Sequence, residues 1–331
     1  MNDPRWASID AFAEQNRENI LRDITRLVAV PSVEGTPEPG APFGAGPKAA
    51  LDKALEIASE LGLATHDAEG YIGWAETGPI AEGQKYLATI THTDVVPEGN
   101  GWDADPYTVR VRDGWILGRG VADDKGPSIL CLYALKYLKD SGVALKYPVR
   151  ALLGTNEETN MHDVDYYAEH YPMPAFCFTP DAEFPVCNGE KGGFNGEIVS
   201  PKLEGGVITA FAGGVARNAV PDRASCTVRV APEAIKLVDG VTAEAGENGT
   251  TVLHGWGKSG HAAMPEGTVN AIGLLVNCLL ESGICTEQEK AYLKVLQTLY
   301  AANDGSTLGI AANDGLFDPL TIIGGTIEMK D

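Results

Sequence analysis

Residues 86–94 read Tyr-Leu-Ala-Thr-Ile-Thr-His-Thr-Asp. Tyr86 to Thr91 is an apolar, β-branched run without alternation, the mark of a strand buried on both faces. It stops at His92-Thr93-Asp94. Val149 to Thr155 has the same character and stops at Asn156-Glu157-Glu158-Thr159. Ala175 to Phe178 reads as a further strand and runs into Thr179-Pro180-Asp181. Helical spacing falls between them, over Pro127 to Leu138 and Asp163 to His170. Strands alternating with helices predict an α/β fold, a mostly parallel sheet flanked by helices.

Upstream, Trp6 to Val28 recurs at helical spacing and ends before Pro31. Ser32 to Pro47 reads as a Gly/Pro-rich loop, and Ala49 to Leu61 as a helix stopped by Gly62. Tyr71 to Ala75 is a short strand, and Thr108 to Leu117 a hairpin around Asp113-Gly114. The character changes near Gly189, and Glu190-Lys191-Gly192-Gly193 reads as a hinge. Beyond it come alternating runs, Phe194 to Val199, Val207 to Phe211, Ser225 to Val230 and Thr250 to Leu253. Helical stretches follow at Thr268 to Glu281 and Glu287 to Ala302. This predicts two domains, residues 1–190 and an α+β domain over 191–331.

With 331 residues, 44% hydrophobic and 21% charged, the chain has room for two packed cores and is not disordered. Its 25 basic and 46 acidic residues leave a net charge of −21, which repels nucleic-acid backbones and anionic membranes. The six cysteines form no C-x-x-C pair, so a thiolate metal site or disulfide framework is not expected. No run is apolar enough for a signal peptide or a membrane span. The expectation is a soluble, cytoplasmic protein.

Ligands collect at the carboxyl ends of strands in open α/β sheets. His92, Asp123-Asp124, Glu157-Glu158 and Asp181 are all expected there, at the ends of four strands of one sheet. Each has a plainer reading: a hydrogen-bonded core histidine, a helix cap, a solvated acidic turn, an Asx turn. Those readings do not explain their common position. Imidazole and carboxylates together suit a hard-to-borderline divalent ion such as Zn²⁺.

Thr91 to Pro97, Gly118 to Pro127, Gly154 to Asn160 and Thr179 to Pro185 resemble the zinc aminoacylase and carboxypeptidase G family of co-catalytic metallopeptidases. Val95-Val96-Pro97, Ala122-Asp123-Asp124-Lys125-Gly126-Pro127 and Gly154-Thr155-Asn156-Glu157-Glu158-Thr159-Asn160 look most like its bacterial dipeptidase V branch, related to carnosinase. The resemblance implies that His92, Asp123 and Asp181 ligate a first zinc. It implies that Asp123 bridges to a second zinc held by Glu158, that Glu157 is the general base, and that Asp94 orients His92. In the second domain, Lys258 to Pro265 resembles a lid segment whose histidine, here His261, stabilises the oxyanion. Ala216 to Pro221 resembles a stretch whose asparagine, here Asn218, binds substrate. His66, His162, His170 and His254 carry no motif and read as structural.

The same resemblance implies a return to the catalytic domain after the lid, ending in a histidine for the second zinc. No histidine follows His261, and Gly324-Gly325-Thr326 does not replace the family's glycine loop. The expectation is a chain that stops within or just after the lid, with one zinc held tightly rather than two. The implied activity is metal-dependent hydrolysis of dipeptides or short peptides. The alternatives are an N-acyl amino acid deacylase, of succinyl-diaminopimelate desuccinylase or acetylornithine deacetylase type, and an inactive remnant.

Overall fold

The computed structural model describes residues 4–99, 101–182 and 185–330. Glu183 and Phe184, within the Thr179 to Pro185 match, lie outside the described residues, as do Met1 to Asp3. The chain divides into two compact units, Met1–Asn188 and Gly189–Asp331.

The first unit runs α1 (Pro4–Val28), α2 (Ala45–Glu60), β1 (Ala64–Ala68), β2 (Ile72–Glu76), β3 (Leu87–His92), β4 (Arg110–Arg112), β5 (Trp115–Leu117), α3 (Lys125–Asp140), β6 (Val149–Gly154), α4 (His162–His170) and β7 (Phe176–Phe178). Its main sheet has the order β1-β2-β6-β3-β7. β6, β3 and β7 are parallel, while β2 runs against both of its neighbours. Four of the five strands therefore share one direction.

Side chains alternate across a strand, so adjacent residues of β6 serve different cores. Leu153 joins Leu27, Leu51, Ile57, Ile129 and Leu132 under α1, α2 and α3. Leu152 joins Ile72, Trp74, Ala88 and Tyr167 under α4. Helices thus cover both faces. Arg150 points to the α4 side, an unusual place for a charge. Its guanidinium lies 4.4 Å from the Trp74 ring centroid and 4.7 Å from that of Tyr86, and its Nε donates to Glu76 at 2.9 Å. A buried charge is tolerated when it is paired in this way.

The helix expected from Ala49 begins at Ala45, so the loop before it is shorter. Pro47 sits in the first helical turn, where a missing N–H costs nothing. The hairpin of β4 and β5 forms its own two-stranded sheet. Asp123 and Asp124 therefore follow a separate ribbon, and only three of the four expected strand ends belong to one sheet.

The second unit contains β8 (Ile208–Gly213), β9 (Arg223–Val228), β10 (Val241–Ala245), β11 (Thr251–Trp256), α5 (Ala271–Ser282), α6 (Glu287–Tyr300) and β12 (Ile327–Glu328). Its strands are all antiparallel, in the order β10-β11-β9-β8-β12. The core joins Phe211, Cys226, Val228 and Leu253 to Ile272, Leu275, Leu279 and Leu293. α6 starts with a capping box: Thr286 Oγ1 accepts the Glu289 N–H at 3.2 Å, and the Glu289 carboxylate accepts the Thr286 N–H at 2.8 Å.

Phe194 to Val199 forms no strand, contrary to its alternation. Phe194 is 94% exposed. Alternation makes a strand only where a partner strand supplies hydrogen bonds, and none pairs with this segment among the described residues. No helix among the described residues is long and apolar enough to cross a membrane.

Candidate metal centre

β3, β6 and β7 are parallel neighbours, so their carboxyl ends open on one rim. β3 ends at His92, which is buried. Thr155 to Glu158 follow β6, and Asp181 follows β7 by three residues. Asp123 arrives from the turn between β5 and α3, in which the Asp123–Asp124 peptide is cis. That turn closes tightly: a Cβ at Gly126 would lie 1.9 Å from the Val121 carbonyl oxygen, so only glycine fits there.

One ligand atom from each of His92, Asp123 and Asp181 lies within 4.8 Å of the other two. His92 Nε2 is 3.0 Å from Asp123 Oδ1, 3.4 Å from Asp181 Oδ2 and 3.7 Å from Glu157 Oε2. Its Nδ1 is 3.0 Å from the Asp94 carbonyl oxygen, which can only accept. Nδ1 therefore carries a proton, and Nε2 is the atom that faces the carboxylates. Asp94 also places a carboxylate oxygen 3.3 Å from Nδ1. The same carboxylate accepts the N–H groups of Glu157 and Glu158, at 3.3 and 3.1 Å. Asp94 thus holds both the imidazole and the glutamate pair.

Asp124 is not the helix cap that its position suggests. It precedes α3 yet makes no side-chain cap bond. Its Oδ2 instead accepts the His92 backbone N–H at 3.1 Å, and burial, with Asp181 nearby, pushes its carboxyl up to about 8. Lys125 is fully buried and donates to the Val30 carbonyl at 2.6 Å, and burial lowers its amine to about 7.

The electrostatics of this rim call for positive charge. Burial disfavours the His92 imidazolium, yet Asp123, Asp181 and Asp94 outweigh it and hold the ring well above its ordinary value. Burial raises the Glu157 carboxyl, and the charges of Asp181, Asp94 and Asp123 add to the effect. Burial and Asp123 push the Glu158 carboxyl up to about 7. Crowded carboxylates of this kind are relieved by a cation among them. One imidazole nitrogen and two carboxylate oxygens fit a divalent ion. Glu158 stands beside this group of three rather than within it.

His261 and Asn218 lie in the second unit, where they meet each other. Ala219 and His261 form an antiparallel bridge, and the Ala262 N–H donates to the Asn218 carbonyl at 2.8 Å. Both residues are exposed. His261 Nδ1 accepts the Ala263 N–H at 3.2 Å. Of the histidines read as structural, His66 stacks on Trp74 and His254 lies 3.1 Å from Glu244. His170 Nδ1 lies 2.8 Å from the Tyr166 carbonyl, and His162 Nδ1 3.4 Å from Asp165. Sequence reasoning missed the anchoring bond of Asp124, because an acidic residue before a helix reads as a cap. It also missed Asp163, which in sequence is only an acidic residue at the start of α4.

A profile of peptidase family M20/M25/M40 matches residues 88–302, a span that includes His92, Asp123, Glu157, Asp181 and His261. The putative dipeptidase YtjP of Bacillus subtilis is 33% identical over 96% of this chain and 71% of its own length. The Beta-Ala-Xaa dipeptidase of Lactobacillus delbrueckii subsp. lactis is 35% identical over 93% of this chain and 68% of its own. The chain therefore spans about seven tenths of these relatives. Human carnosine dipeptidase 1, a solved structure, aligns with a TM-score of 0.43 and 16% identity over 63% of this chain and 46% of its own. The sequence matches agree with a rim whose imidazole and carboxylates could hold a divalent ion, and they show that the chain belongs to peptidase family M20/M25/M40.

Proposed function

We propose that the protein is a zinc-dependent dipeptidase whose first unit carries the metal and the base and whose second unit is a lid. The observation that carries this is the convergence of Asp123, Asp181 and Glu157 on one nitrogen of His92. His92, Asp123 and Asp181 would hold the first ion. Asp123, 58% exposed, would also serve a second ion together with Glu158. Bound there, zinc supplies Lewis acidity, which lowers the pKa of a ligated water and polarises the scissile carbonyl.

The remaining steps belong to side chains. Glu157 takes a proton from the attacking water and returns it to the leaving amine. Asp94 keeps the His92 ring turned toward the ligands. With Nδ1 of His261 accepting a hydrogen bond, its Nε2 bears the proton and can donate to a developing oxyanion. Asn218, paired with the same segment, contacts the substrate. We read the substrates as dipeptides and short peptides with a free carboxylate. We place the protein in the cytoplasm, in keeping with six cysteines that form no C-x-x-C pair in the sequence.

The test is a panel of dipeptides against N-acyl amino acids, run with metal analysis. Turnover of dipeptides supports the reading. Preference for N-acyl amino acids makes the chain a deacylase, and bound metal without turnover makes it an inactive remnant. Dialysed protein is expected to retain one tightly bound zinc per chain, because one group of three ligand atoms, from His92, Asp123 and Asp181, is gathered at the rim and Glu158 is not part of it. Two tightly held zincs by elemental analysis would contradict this. His261→Ala is expected to lower kcat by about 10²–10³ while leaving metal content unchanged, the usual cost of one lost oxyanion donor. Loss of zinc in that variant would make His261 a ligand instead.

A further inference from the structure

We propose that Asp163 is a positioning residue for the loop that presents Glu157 and Glu158. Four consecutive amides leave the end of β6, and two buried carboxylates grip them in pairs. The N–H groups of Thr155 and Asn156 both donate to Asp163 Oδ2, at 2.7 and 3.1 Å. The next two amides, of Glu157 and Glu158, donate to Asp94. The other oxygen of Asp163 accepts the Val164 N–H at 2.8 Å, which ties the loop to the first turn of α4.

The chain around Asp163 is shaped for this contact. Asp163 is 1% exposed. A Cβ at residue 154 would lie 2.5 Å from Asp163 Oδ2, so the carboxylate reaches the strand end only because Gly154 is there. Met161 adopts a left-handed conformation, with φ of 56°, and turns the chain back so that Asp163 faces the amides it binds. Asn156 closes the loop, its carbonyl accepting the Met161 N–H at 2.9 Å and its side-chain oxygen the His162 N–H at 3.2 Å. A buried carboxylate is costly unless it is bonded. Its three amide bonds all go to the loop and to α4, so its interaction energy is directed at fixing that loop.

Asp163 acts through the backbone of the base rather than on substrate. Misplacing a reacting group by about 1 Å can cost about 10²-fold in rate. Asp163→Ala is therefore expected to lower kcat by about 10-fold to 100-fold with little change in KM or zinc content. This rests on the reading of Glu157 as base, and amide hydrogen exchange tests the clamp independently of it. Asp163→Ala, Asp163→Asn and Asp163→Glu should be compared with Tyr167→Phe. The Tyr167 change weakens the packing of α4 by removing the hydroxyl bonded to Tyr86 at 2.7 Å, without touching the loop amides.

The expected result is that kcat across the Asp163 variants follows the loss of exchange protection at Thr155 and Asn156, not the loss of Tm. Tyr167→Phe should lose stability with kcat intact. The proposal is overturned if kcat follows Tm in all four variants, or if it stays normal in an Asp163 variant whose Thr155 and Asn156 amides have lost protection. The same comparison can be made from the Asn and Glu variants alone if Asp163→Ala does not fold. Normal turnover in Glu157→Gln would instead remove the base assignment and leave the exchange result standing.

Discussion

Glu157→Gln is expected to keep its fold and its zinc and to lose about 10²–10⁴ in kcat, the usual worth of a positioned acid–base group. The substitution preserves the shape of the side chain and removes its ability to take a proton. Metal content should hold, because the three gathered ligand atoms belong to His92, Asp123 and Asp181. KM should change little, since the proton moves only on the way to the transition state. The acid limb of the pH–rate profile should disappear with the carboxylate, because protonation of Glu157 at low pH is what switches the base off. Elemental analysis beside steady-state kinetics over a pH series checks all of this. Near-normal turnover would leave Glu157 as one more acidic residue on the rim.

Asp181→Ala should act at the opposite point, by abolishing tight zinc binding and with it measurable hydrolysis. Asp181 Oδ2 lies 3.4 Å from His92 Nε2 and offers one of three ligand atoms. A site reduced to two protein ligands is too sparse for firm tetrahedral coordination. Dialysis followed by elemental analysis should find the metal gone while the helical circular dichroism remains. Excess zinc in the assay should restore part of the activity, because Glu157 and the other two ligands are still in place. Tight binding retained in Asp181→Ala would remove Asp181 from the ligand set.

His92, Glu157, Glu158 and Asp181 were legible in the sequence for a simple reason. Buried parallel strands are continuous apolar runs, and the residues that follow them stand out. Asp123 was legible through its motif, but its carrier was not. A hairpin signal says that two segments pair and not which sheet they join, so the separate ribbon of β4 and β5 was read as part of the main sheet. β1, with only Ala68 buried, pairs through its backbone and leaves no apolar pattern. Phe194 to Val199 failed in the other direction, since alternation records side chains and not the presence of a partner. Asp163 was invisible for a related reason. What it binds is backbone N–H, and a local sequence pattern carries no record of which amides a carboxylate will reach once the loop has folded.

Asp94 has a consequence for how this protein can change over generations. One carboxylate faces the imidazole ring and also holds the amides of both glutamates. On the proposed roles, a lineage that altered residue 94 to retune a metal at His92 would displace the proposed base, Glu157, in the same step. Substitutions at 92, 94 and 157 are therefore epistatic: the fitness effect of each depends on which residues occupy the other two. Drift at the rim must then pass through coordinated replacements.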